Sequence, residues 1–173
     1  MRQQLVPIVV FSVLIASAVW YAVRSVRHGA APPNAMVAAL NHLTGLITSL
    51  LMLVHLVAVT WVGFSRTGES AGWRAEYGFH LYSLWLFGVV TLWQGVTLWL
   101  TTNGIRRGDP VAMRRAIMRT VILLVVTGPV IPMQHLAAIP ASLGLINLVG
   151  LATLILRSRR GLHAPAARAT MPS

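Results

Sequence analysis

The segment Met36–Phe64, MVAALNHLTGLITSLLMLVHLVAVTWVGF, carries no acidic or basic side chain other than histidine over a length that only lipid accommodates. Within it stand Asn41, His42 and His55, and a short polar loop leads to a second apolar run that opens with Phe79, His80 and Tyr82. An imidazole inside a lipid-spanning helix is costly enough to require a reason. The stretch from Ala38 to Trp85 therefore organises the chain, and its histidines are the functional clue.

Hydrophobic residues make up 56% of the 173 positions and charged residues only 10%, which excludes a soluble fold. The composition reads as one all-α polytopic membrane domain over residues 1–160, followed by a disordered basic tail over 161–173. The net charge of +11 comes from arginines set against Glu69, Glu76 and Asp109, and lysine is absent. These arginines sit between apolar runs, as in cytoplasmic loops that touch phospholipid, and no folded soluble part remains to bind nucleic acid.

Three absences narrow the chemistry. Without cysteine there is no thiolate haem ligand, iron-sulfur cluster or disulfide. Without lysine there is no Schiff-base site. All three carboxylates lie outside the apolar runs, so an Asp or Glu proton relay is missing too. Histidine is the side chain left in the spans that ligates a metal or titrates near neutrality.

The apolar pattern predicts five spans, about 5–23, 36–64, 73–102, 117–134 and 141–156. A cleaved signal peptide, with Arg2 as its charged region and Ala16-Ser17-Ala18 as its cleavage triplet, is the rival reading of the first. Pro32-Pro33-Asn34 is expected to break the chain and cap the second span, Gly45 and Ser49 to form a close-contact face, Pro110 to start an amphipathic turn that feeds into the fourth span, and Pro129 with Pro132 to kink or end that span. Arg24, Arg27, Arg106, Arg107, Arg114, Arg115, Arg157, Arg159, Arg160 and Arg168 fall on one side, against Arg2, Arg66 and Arg74 on the other. That bias places the amino terminus outside and the carboxyl terminus in the cytoplasm of a bacterial inner membrane.

A b-type haem held by two histidines needs neutral imidazoles at one depth on facing helices in an apolar pocket. Counted from the loop between spans two and three, His55 and His80 lie about 12 to 13 Å along their helices and match in level. They are the candidate cofactor and metal ligands, with His135 as a third. His42 is about 140° out of line with His55, which disfavours two stacked haems on one helix. His28 and His163 fall in basic, wet segments. The plainer reading of each membrane histidine is a structural hydrogen-bond donor. Chlorophyll-type pigment and copper are the other ligands considered, with Met52 and Met133 near the right level for copper.

Val54-His55-Leu56, followed by Ala58, Trp61 and Gly63, resembles the opening signature of small membrane proteins related to copper-resistance protein D and the HemJ-type protoporphyrinogen oxidases. The similarity continues over about 80 residues, through His80, Gly88, Arg107-Gly108-Asp109-Pro110, Arg114-Arg115, Thr127, Pro129 and Gln134. The resemblance implies a histidine-rich helical bundle that binds haem or handles copper, with His55 and His80 in the matching positions. The first span has no counterpart histidine, which points away from enzyme activity.

The expected function is thus a non-catalytic haem b or tetrapyrrole subunit that passes electrons between quinone and a partner redox centre. A cofactor-free accessory subunit of a larger respiratory or photosynthetic complex is the second expectation. A small copper-handling or transport protein is the third, and it needs a polar path that Asn41, Gln94, Gln134 and Asn147 are too few and too spread to draw.

Overall fold

The computed structural model describes residues 2–66, 71–132 and 137–162, and these are helical apart from short turns. The helices are α1 (Arg2–Arg27), α2 (Pro32–Ser65), α3 (Ala71–Arg107), α4 (Pro110–Thr127) and α5 (Ala138–Leu162), with a 3-10 turn at Gly128–Val130. Three of them are long and apolar enough to cross a membrane, over Pro32–Ser65, Tyr77–Arg107 and Ala138–Ser158. The chain is an all-helical membrane protein.

Helix boundaries follow local chemistry and shift some of the expected ones. Asp109 caps α4 by accepting from the Val111 amide at 2.9 Å, with Pro110 in the first turn, so the turn expected from Pro110 and the span expected from 117 form one helix that takes in Arg114, Arg115 and Arg119. It ends at Thr127, where Pro129 forces the chain into the 3-10 turn, rather than at 134. Pro32 and Pro33 form the first turn of α2 rather than a break before it, and Ala31 occupies the cap position without a side-chain bond. The helix α5 runs through Arg157 to Leu162, beyond the expected 156 and into the expected tail.

The ends of α1 and α3 close in the same way. Gly29 (φ +83°) and Gly108 (φ +78°) adopt the left-handed conformation that a residue with a Cβ avoids. In each turn the glycine amide bonds three residues back, and the following amide bonds five residues back to Ser25 and Gly104 respectively.

Helices α2 to α5 run alternately up and down, and α1 lies along α2. The core between α2, α3, α4 and α5 is built from Ala38, Leu98, Ile105, Met113, Ala116, Leu123, Leu151 and Leu154. The tightest contact is α2 against α3. A Cβ on Gly45 would stand 2.7 Å from the Trp99 amide nitrogen and 2.8 Å from the Gly95 carbonyl, and one on Gly95 would meet Ser49 Oγ at 2.6 Å. Small residues let the two backbones approach, which in lipid replaces the hydrophobic drive available in water.

Valine at Gly45 or Gly95 has no space to enter, and the expected outcome is loss of the folded bundle in thermal melts of the detergent-solubilised protein. Gly63, with nothing within 4 Å of an added Cβ, is the control; alanine there leaves the melt unchanged or raises it, by up to ~1 kcal/mol of helix propensity.

Candidate functional site

Polar residues collect on one stripe of α2. Asn41, Thr44, Thr48 and His55, with Met52 among them, recur at steps of three and four residues and are buried against neighbouring helices. Lipid offers no hydrogen bonds, so these groups must find partners within the bundle. Asn41 Nδ2 donates to the Leu98 carbonyl at 2.6 Å and to Thr102 Oγ1 at 3.1 Å on α3. Its Oδ1 accepts from Asn147 Nδ2 on α5 at 3.0 Å, and the same Asn147 amide reaches Thr120 Oγ1 on α4 at 3.2 Å. Four helices thereby meet at one amide pair.

Asn41 and Asn147, too spread in the sequence to suggest a path, are therefore in direct contact. Gln94 lies further along the same α2–α3 seam, and Gln134 is outside the described residues. Thr48 on α2 and Thr91 and Gln94 on α3 are buried, and each has an oxygen with no hydrogen-bond partner among the described residues.

The histidines part company. His55 is buried on α2 with Nε2 at 3.0 Å from the Leu84 carbonyl of α3, and its ring meets Phe87 edge to face at 6.0 Å. His80 is exposed on α3 beside the Phe79 ring. A Cβ on Gly88 would touch His55 and Leu56, so His55 sits level with Leu84 to Gly88, four to eight residues from His80. At 1.5 Å per residue the two are offset by about 6 to 12 Å along the helices. Equal depth was expected from a hairpin symmetric about its loop, but the Gly45–Gly95 contact slides α3 by about one to two turns. His135 lies outside the described residues, as do His163 and Met133.

His42 and His28 have surroundings that the sequence did not disclose. His42 stacks flat on Tyr21, with centroids 5.1 Å apart and planes within 5°, and Trp99 tilts against its ring at 6.4 Å. His28 is exposed in the turn after α1, as expected of a basic, wet segment, and it lines a cavity of about 470 Å³ together with Arg24 and Arg106. Thr102 and Thr120 were missed as members of the polar seam. Their signal is positional, since Ala116, Thr120, Leu123 and Thr127 repeat on α4 the spacing that marks the buried stripe of α2.

The end of the hairpin is a second feature. Helix α4 stops near the level of His55, whereas α2 and α3 continue beyond it as a pair. Val57, Trp61, Phe79, Tyr82 and Trp85 on that projection are exposed, Trp61 and Phe79 each by 73%. No protein-family model, curated protein or solved structure matches the chain.

His55 acts here as a tie between α2 and α3. Alanine at 55 is expected to lower stability by ~0.6 to 2 kcal/mol, the range for a hydrogen bond between membrane helices, read as a lower midpoint in a detergent unfolding titration. Glutamine, which also reaches a carbonyl, should recover much of that loss; equal midpoints for wild type and His55→Ala would show that the tie contributes nothing.

Proposed function

We propose that this chain is a non-catalytic packing subunit of a larger membrane complex, seated in a bacterial plasma membrane with five spans and its basic end in the cytoplasm. Support for the orientation comes from Arg24, Arg27, Arg106, Arg107, Arg114, Arg115 and Arg157, which gather at the end of the bundle where α1, α3 and α5 finish and α4 begins.

The observation that carries the reading is the length of the apolar hairpin. The 34 residues of α2 measure about 51 Å at 1.5 Å each, against a hydrocarbon core of about 30 Å. Tilt alone would have to reach about 54°, outside the roughly 0 to 40° that spanning helices adopt. Part of the hairpin therefore stands beyond the hydrocarbon. That part is the aromatic and aliphatic projection around Trp61 and Phe79, a patch of the kind that marks an interaction site. Its chemistry fits the uncharged flank of another membrane subunit, because no described carboxylate or arginine interrupts it between Trp61 and Ser65 or between Tyr77 and Trp85.

Native electrophoresis of the protein extracted in mild detergent tests this. The expected result is migration with larger membrane partners, abolished by Trp61→Ala with Phe79→Ala and unaffected by Val125→Ala with Leu145→Ala, which remove exposed side chains from the other helices. Migration as the free chain in every case overturns the proposal. The absorption spectrum of the same preparation separates it from the tetrapyrrole reading: a Soret band that disappears in His55→Ala and His80→Ala would make the chain a haem b electron carrier instead.

A further inference from the structure

The geometry points to a built site for one anionic glycerophospholipid at the basic end, its phosphate among Arg24, His28 and Arg106 and one acyl chain laid past Tyr21 toward Trp99. This rests on the membrane setting proposed above and not on the partner.

The headgroup part is the cavity of about 470 Å³ that these three residues line with Trp20, Tyr21 and Ser25. The Tyr21 hydroxyl donates to Asn103 Oδ1 at 3.1 Å, which pins α1 to α3 and gives the cavity two walls. The Arg24 guanidinium lies 5.0 Å above the Trp20 ring, so the charge is held at an indole of the kind that settles at the lipid interface. Ser25 is 1% exposed and lines the cavity, and its Oγ has no hydrogen-bond partner among the described residues. A buried donor lacking an acceptor, in a cavity lined by two guanidiniums, calls for an acceptor-rich anion. Among the described residues no carboxylate lines the cavity, and the Asp109 carboxylate is engaged at the α4 cap.

The tail part is a second cavity of about 280 Å³ that shares Tyr21 and Asn103 with the first and continues past His42, Trp99 and Leu100. Its Trp99 and Leu100 are exposed on the flank that faces lipid. Head and tail sites joined at Tyr21 match an amphiphile rather than a free anion. Basic pockets between spanning helices on the cytoplasmic side recognise headgroups in this way.

Native mass spectrometry of the delipidated full chain, titrated with phosphatidylglycerol, phosphatidylcholine or inorganic phosphate, provides the test. Phosphatidylglycerol should be retained over phosphatidylcholine, and Arg24→Gln or Arg106→Gln should each weaken it about five-fold, as expected for one basic contact at a membrane surface. Arg115→Gln, the same charge change at an exposed site outside both cavities, should leave retention unchanged. Trp99→Ala should weaken the lipid without changing phosphate binding. Arg24→Lys and Arg106→Lys, which keep the charge, should retain more lipid than the glutamine variants and so separate lost recognition from lost folding. Equal weakening by Arg115→Gln shows diffuse charge and overturns the site. Equal retention of phosphatidylcholine overturns its preference for an anion, and displacement by equimolar inorganic phosphate makes it a free-anion site.

Discussion

A hydrogen-bonding group inside hydrocarbon has no solvent to fall back on, and the Asn41–Asn147 amide pair is how this bundle meets that constraint. One bond joins α2 to α5, and the remaining donors of the two amides reach α3 through Leu98 and Thr102 and α4 through Thr120. A single such contact in a membrane is worth only ~0.6 to 2 kcal/mol. Its larger effect is on register: a helix that slid by one residue would carry its amide about 1.5 Å along and 100° away from the partner. Polar pairs of this sort specify arrangement where apolar packing alone, against equally apolar lipid, discriminates poorly.

The glycine contacts set the second register, between α2 and α3, and with it the position of both histidines. Gly45 against Gly95 and Gly88 against Leu56 fix the pair so closely that the hairpin cannot centre itself on its loop. His55 consequently meets a backbone carbonyl at Leu84, while His80 is carried outward onto the exposed projection. Two residues of one type, evenly placed about the same loop in the sequence, thus acquire different surroundings.

Much of this architecture was legible in the sequence, because hydrophobic runs and proline positions report directly on helices and their ends. The apolar lengths gave five helices, and Gly45 with Ser49 gave the close face that α3 occupies. What was not legible required knowing which faces meet. Asn41 and Asn147 are 106 residues apart, and nothing local says that α5 returns to α2. The start of α4, by contrast, was legible, since Asp109-Pro110 spells a helix start ahead of a run whose Arg114, Arg115 and Arg119 lack the apolar signal of a span. The Tyr21–His42 stack was hidden for the same reason as the amide pair, since it joins α1 to α2 through side chains that the sequence places in separate spans.

The two ends of the molecule constrain each other. Arg106 and Leu84 are 22 positions apart on one helix, or about 33 Å at 1.5 Å per residue, and about 31 Å across the membrane at an average tilt of about 20°. If arginines at the basic end are anchored in the headgroups, the His55–Leu84 tie falls at the opposite edge of a hydrocarbon core about 30 Å thick. Everything past it on α2 and α3, including Trp61, Phe79 and His80, then belongs to the headgroup layer or beyond it. Water and headgroups meet the needs of an exposed imidazole at that depth, so His80 needs no buried partner. The apolar side chains that lie beyond the headgroup layer gain nothing comparable from water, and a partner surface that covers them is what the proposed function supplies.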